Sequence, residues 1–396
     1  MKVIVDRAAL LDAINLISGV VAARTPRPQL QCVKITAKKS GKSAEMTFAA
    51  TDAEVSLRLV TTQVDVQEPG EILIPADKIR GIVAAEEGDA TLTIESGDGD
   101  ACHIRGTDAH FKILGYPPAE LPPIPDFDKV AAGKDPSMKA KAVFSHTAGD
   151  LGQMIARTLF ATARENSRYA INGVLMKREG KRLEMVATDG RRLALCRQNI
   201  GGGQGDKDAP AISCIIPSKA LSMLQKLIES PDAPVQIAIT DNQILFALGS
   251  DEEGGKKAVL TSNLVEGAFP PYEEVIPKDQ DKRVTFDRDV LSSAVRRAAL
   301  LTNEESRGVR MKFNADEKQV EFSSRAPEMG EAEINIEVSS YEGQDIEIGF
   351  NPSFITDALK VIAEPEVIME LKAGNKPGLI KSGTDFVYVV MPVNLQ

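Results

Sequence analysis

The chain has 396 residues, 43% of them apolar and 26% charged, with a formal net charge of −10. That is room for two to four domains with cores of their own, in a composition ordinary for a globular protein. No apolar run approaches the roughly 18 residues of a membrane span, and the acid excess excludes a uniformly basic nucleic-acid binder, so any DNA contact must use a local basic surface.

The chain opens on an alternating strand, Met1-Lys2-Val3-Ile4-Val5, with no apolar stretch of secretory-signal type, which predicts a cytoplasmic protein. Leu10, Ile14, Ile17 and Val21 follow at helical spacing. An alternating run then ends at Ala50-Thr51-Asp52, and Ile74-Pro75 precedes a second helix, followed by the strand Ala90–Ile94. The proline-bearing stretch from Pro117 to Lys141 reads as a linker.

The same order then returns. Phe144 leads into a helix marked by Leu151, Ile155 and Leu159, Ala187-Thr188-Asp189 repeats the earlier marker, Gly201–Gly205 reads as a surface loop, and Ile216-Pro217 leads into another helix. Pro277–Arg283 is a charged joint, after which Phe286 introduces Leu291, Val295 and Ala298, and Asn351-Pro352 opens the last helix. Phe322-Ser323-Ser324 stands where the threonine–aspartate marker has decayed. The three proline markers are 142 and 135 residues apart and the two threonine–aspartate markers 137 apart, so one unit is present three times. Proline suits a first helical turn, where its missing N–H has no partner to lose. Strands on short turns with helices on one face predict an α+β fold. The expected divisions are residues 1–125, a linker at 126–141, then 142–278 and 279–396.

Basic residues gather at the first helix of each unit. Leu10–Arg27 nets +1, and Leu151–Arg168 and Leu291–Arg310 each net +2, which leaves −15 for the rest of the chain. The second helices net −2, zero and −2. Arginine on the outer face of a single helix needs only water. Three equivalent arginine-bearing segments in an acidic chain point instead to phosphates, spaced about 1.7 Å apart along duplex DNA, and to binding without sequence preference.

Catalytic sets are missing. His103, His110 and His146 form no HExxH or nucleophile arrangement, and there is no GxxxxGK[ST] loop. Asp98, Asp100 and Cys102 lack the glycine and closing glutamate of a calcium loop. Cys32, Cys102, Cys196 and Cys214 are too sparse for a disulfide scaffold and wrongly spaced for zinc, which predicts buried thiols. The expectation is a binding protein without enzymatic activity, cofactor or metal.

The segments Ala187–Ala194, Ser306–Arg310, Phe269-Pro270-Pro271-Tyr272 and Tyr388–Leu395, in that setting, resemble the bacterial DNA sliding clamps, the β subunits of DNA polymerase III. The resemblance covers essentially the whole chain. It implies three clamp domains, and a head-to-tail homodimer closed into a ring with helices lining the hole and antiparallel sheets as the outer wall. It further implies a processivity factor that encircles duplex DNA and tethers the replicative polymerase, the clamp loader and repair proteins through short peptides, with no membrane partner. Matching positions for DNA are Arg24, Lys78, Arg168 and Tyr169, with Arg164, Arg296, Arg297 and Arg307 added from the same arginine-bearing segments. Asp77, Glu165 and Ala170 depart from the family pattern there, and Glu274 departs beside the pocket.

The implied peptide pocket comprises Ile171, Thr188, Gly190, Arg192, Leu193, Pro270, Val275, Phe354, Val390, Met391, Pro392, Val393 and Leu395. An apolar tail with Met and Pro suits an adaptable groove; it also reads as a final edge strand packed on its own sheet. Phe111 and Ile113 against Leu300 and Leu301 form the implied dimer contact, with burial inside one subunit as the rival reading. A scaffold that gathers replication and repair partners without encircling DNA is the alternative function.

Overall fold

A computed structural model describes residues 1–41, 43–163, 171–200, 211–249, 257–302 and 308–394. Its helices are α1 (Arg7–Ile17), α2 (Ala76–Ala85), α3 (Phe127–Ala131), α4 (Ala148–Leu159), α5 (Ser218–Leu227), α6 (Arg288–Ala298) and α7 (Pro352–Lys360), and its strands pair antiparallel throughout the described residues. None of the described helices is long and apolar enough to cross a membrane.

The apolar spacing seen in the sequence becomes the buried face of each first helix. Leu10, Ala13, Ile14 and Ile17 are buried on α1, Leu151, Met154 and Ile155 on α4, and Leu291, Ala294, Val295 and Ala298 on α6. Asp6 caps α1 by accepting from the Ala9 N–H at 2.8 Å, and Asp287 caps α6 by accepting from Asp289 and Val290, both at 2.9 Å. The periodicity predicted α1 as far as Val21, but the helix stops at Ile17. Ser18 turns its hydroxyl back onto the Ile14 carbonyl at 2.6 Å. At Gly19 a Cβ would lie 2.1 Å from the Met223 Cε of α5, so a larger residue there would have to displace the methionine side chain.

The proline markers differ in detail. Pro352 occupies the first turn of α7 behind the Asn351 cap. Pro75 and Pro217 instead close their strands, opposite Cys32 and Gly173, one residue before their helices begin. Proline is tolerated at a strand end because no further ladder bond is needed from it.

The chain forms two compact units, Met1–Gly152 with Lys219–Leu264, and Gln153–Ser218 with Val265–Gln396. The first holds a five-stranded sheet, in the order Val64–Glu68, Lys2–Asp6, Thr91–Ser96, Ala101–Arg105, His110–Leu114. It also holds an eight-stranded sheet in which Val55–Thr61 pairs with Lys257–Asn263. The stretch expected as a linker carries α3, whose Phe127 and Val130 are buried against Ala238 and Leu245.

The second unit holds a nine-stranded sheet in which Arg192–Asn199 pairs with Phe386–Val390, and a four-stranded sheet ending on Gly330–Glu337. All four cysteines are buried and unbridged. Burial pushes the Cys32 and Cys196 thiols up to about 11 and those of Cys102 and Cys214 up to about 12, so they stay protonated.

Candidate functional site

In the second unit, the strand Arg182–Thr188 turns into Arg192–Asn199 through Asp189 and Gly190. The Thr188 hydroxyl donates to the Arg192 carbonyl at 2.7 Å and accepts from the Gly190 N–H at 3.1 Å. Gly190 stands at φ 85°, a left-handed position that suits glycine. Across the ladder, Arg192 is opposite Val390 and Leu193 opposite Val389. The tail then leaves the sheet: the Met391 N–H donates to the Arg191 carbonyl and the Val393 N–H to the Gly349 carbonyl, both at 2.9 Å. The last strand is therefore internal, with Gly378–Ser382 on its other side, rather than the edge strand the tail also suggested.

Arg192 organises this corner. Its Nη1 reaches the Asp357 carboxylate at 2.9 Å, its Nε the Asp189 carboxylate at 3.1 Å and its Nη2 the Phe160 carbonyl at 2.8 Å. Its guanidinium lies over the Phe354 ring at 4.5 Å and the Phe160 ring at 5.4 Å. Burial works against this charge, but the hydrogen bond to Asp357 and the other acceptors outweigh it and raise the pKa. The Tyr388 hydroxyl donates to the Phe354 carbonyl at 3.0 Å. The half-buried Phe354 ring is thus held on a fixed cation, and Met391 is 39% exposed at the start of the tail.

Alternation along the strand sends Leu193 to the opposite face. There it packs with Leu195, Val186, Tyr272 and Val389, against which Val265, Phe269 and Ile276 also pack. The segment 265–276 brings a half-buried Pro270 and a 46% exposed Val275. Ile171 is buried, and its carbonyl accepts from Ala163 at 2.9 Å. Pro392 and Val393 are half-buried. The residues expected to line one pocket therefore gather around one sheet end, Arg192 and Phe354 on one side of it and Leu193 with the 265–276 segment on the other; Leu395 lies outside the described residues.

The arginines fare differently. Arg24 is exposed, on the loop beyond α1 and not on the helix. Lys78 is exposed in the first turn of α2, 3.3 Å from Asp77. Arg296 and Arg297 are exposed in the last turn of α6, each bonded through Nε to a carbonyl one turn back at 3.3 and 3.4 Å. Arg157, one of the basic residues of the second unit's first-helix segment, is only 2% exposed and grips both oxygens of Glu364 at 2.8 and 3.0 Å. It belongs to the interior, because position 157 falls beside Met154 and Thr158 on the buried face of α4. Arg164, Arg168, Tyr169 and Arg307 lie outside the described residues.

Each unit also ends a sheet on an edge strand with exposed apolar side chains on it or beside it. His110–Leu114 is bonded on one side only; Phe111 is half-buried, Ile113 buried and Leu114 73% exposed. Beside the edge strand Gly330–Glu337, Leu300 is 72% exposed, Leu301 is half-buried and Met329 is exposed. Sequence reasoning overlooked Leu114 and Met329. The signal for Leu114 was its phase: it follows His110 and Lys112 on the polar face of its strand.

Three models of one protein family match the chain in tandem: the N-terminal domain of the DNA polymerase III beta subunit over residues 1–125, its central domain over 147–271 and its C-terminal domain over 273–394. A beta sliding clamp of Pseudomonas putida is 33% identical, with all of both chains covered. That of Escherichia coli K12 is 30% identical with the same full coverage. A crystal structure of a sliding clamp (DNA polymerase III subunit beta) from Pseudomonas aeruginosa bound to griselimycin is 31% identical, covers both chains fully and superposes with a TM-score of 0.86.

Proposed function

The chain belongs to the DNA polymerase III beta subunit family, and on that premise we propose that it is a sliding clamp: a non-enzymatic, cytoplasmic processivity factor that closes around duplex DNA as a head-to-tail dimer. The observation that carries this is likeness to beta sliding clamps over the whole of both chains. Its domains run over residues 1–125, 142–278 and 279–396, with 126–141 joining the first two. The strand edge bearing Leu114, Phe111 and Ile113 in one unit and the edge flanked by Leu300, Leu301 and Met329 in the other supply the dimer contact, since an exposed strand edge invites pairing with another chain.

Arg24, Lys78, Arg296 and Arg297, with Arg164, Arg168, Tyr169 and Arg307, meet the phosphates without reading bases. The acidic remainder of the chain repels DNA elsewhere. A ring cannot leave sideways, so weak contacts suffice. The corner built on Arg192, Phe354 and Met391, walled by Pro270 and Val275, takes short peptides of the polymerase, the clamp loader and repair proteins. Griselimycin, bound by the Pseudomonas aeruginosa relative, is the probe for it.

The test is to load the protein onto nicked circular DNA with a bacterial clamp loader and ATP, then to cut the circle. A clamp remains on the circle and runs off the linear ends. Retention indifferent to cutting would overturn the reading and favour the scaffold. Replacing Arg24, Arg296 and Arg297 by alanine shortens retention on circles and flattens its salt dependence, by a slope of about 0.9 for each phosphate no longer neutralised.

A further inference from the structure

On one face of the nine-stranded sheet, three charged side chains stand in a row across adjacent strands. Lys177 is opposite Glu184, and Glu184 is opposite Arg197. Glu184 is buried, at the border of the apolar patch formed by Leu175, Val186 and Leu195. Its Oε2 accepts from Arg197 Nε at 2.6 Å and Arg182 Nη2 at 3.3 Å, and its Oε1 accepts the Tyr272 hydroxyl.

Tyr272 is the centre of the segment 265–276. The segment begins with the Val265 N–H on the Ile215 carbonyl at 2.8 Å. Phe269 packs edge-on against the Tyr272 ring at 6.2 Å, and the Val275 N–H donates to the Tyr272 carbonyl at 3.1 Å. Lys177 adds an outer fastening, 3.8 Å from Glu273. Pro270 therefore sits between two packed rings, and Val275 hangs from the same tyrosine. Whatever fixes Tyr272 fixes both.

We propose that the Glu184–Tyr272 hydrogen bond is a clasp that positions the 265–276 segment as a preformed wall of the partner pocket, making Glu184 and Tyr272 positioning residues for partner binding. This rests on the pocket reading of the Arg192 corner. A tyrosine ring would bury as well as phenylalanine on the apolar patch alone; its hydroxyl needs a partner once covered, and the carboxylate supplies one. Burial pulls the Glu184 carboxyl up, but its bonds from Tyr272 and Arg197 more than offset this and hold it low; burial and the adjoining carboxylate push the Tyr272 phenol up, so it stays a donor. A wall ordered in advance spares an incoming peptide the cost of ordering it.

The test compares Tyr272→Phe, Glu184→Gln and the double variant with the unaltered full chain, reading affinity for fluorescently labelled griselimycin and amide hydrogen exchange. Tyr272→Phe should weaken the probe about tenfold, as expected when a binding wall loses its preorganisation. Exchange should accelerate within 265–276 and not elsewhere. The double variant should bind no more weakly than Tyr272→Phe, because both changes break one bond. Glu184→Gln keeps the shape and an acceptor, and a small loss there with the same local exchange supports the clasp even where the phenylalanine variant folds poorly. Probe affinity unaltered in the folded variants overturns the clasp. Equal binding by the unaltered chain and Met391→Ala overturns the pocket reading instead.

Discussion

In one compact unit the turn from Thr51 to Val55, and in the other the turn from Thr188 to Arg192, are built from the same atoms. Each threonine hydroxyl donates to a carbonyl four residues on, at 3.1 and 2.7 Å. Each aspartate Oδ1 accepts from two N–H groups, at 2.9 and 2.7 Å in the first and at 2.9 and 3.0 Å in the second. Each third residue is left-handed, Ala53 at φ 77° and Gly190 at φ 85°. A neighbouring strand end joins each turn by a backbone bond of 2.9 Å, from Asn263 to Glu54 and from Met391 to Arg191.

What hangs on the frame differs. In the first unit Asp52 is closed by Lys219, two residues after Pro217, and the position of Arg192 is the buried Val55. In the second, the residue two after Pro352 is Phe354, stacked on Arg192 between Asp189 and Asp357. An ion pair seals one corner; the other keeps a half-buried ring and an exposed methionine. A repeated backbone can thus carry the corner proposed to bind partners in one copy and a closed joint in the other through a few side chains.

The largest expected effect comes from making the second corner like the first. Arg192→Val strands Asp189 and Asp357 and releases Phe354; it should cost about 3 kcal/mol in urea unfolding and abolish the griselimycin binding proposed for the corner. A cost below about 0.5 kcal/mol would mean the arginine is ornamental to the corner. Next, Glu364→Ala leaves the buried Arg157 charge without its carboxylate, at a cost of about 2 kcal/mol, discounted because the Glu364 side chain is 40% exposed. Its pH signature has a definite sign. Burial raises the Glu364 carboxyl, but bonds from Ser382 and Arg157 outweigh that and bring it from 4.5 to about 2. The stabilisation is present above about 4.5 and lost as pH falls toward 2; acid titration of the variant should lack that window.

Smaller effects test whether the two frames are equal. Thr51→Val and Thr188→Val should each cost about 1 kcal/mol, and markedly unequal costs in denaturant titration would break the equivalence. Last, Ala53→Gly should stabilise and Gly190→Ala destabilise by about 1 kcal/mol each. No atom crowds a Cβ at Gly190, so backbone strain alone accounts for that change.

The threefold unit, the buried faces of α1, α4 and α6 and the α+β class are all legible in the residues alone. These follow from periodicity and turn chemistry, whose energies are settled within a few residues. Leu10, Ile14 and Ile17 announce their face by spacing alone. Thr188 and Asp189 likewise announce a turn. Much of the candidate corner was legible only through resemblance, because Arg192 and Phe354 are not near neighbours in the chain.

Which charges lie at the surface and which in the interior emerges only from the packed chain. Arg157 looked like one more basic residue at the end of a helix, until Glu364, 207 residues away, met it. Glu184 and Tyr272 are 88 residues apart, and nothing in either segment names the other. Gly19, just past the end of α1, lies against Met223, 204 residues away in the chain. Partners so distant in sequence are brought together by sheet pairing and burial, and it is their meeting, rather than local pattern, that sets a side chain's charge, exposure and role.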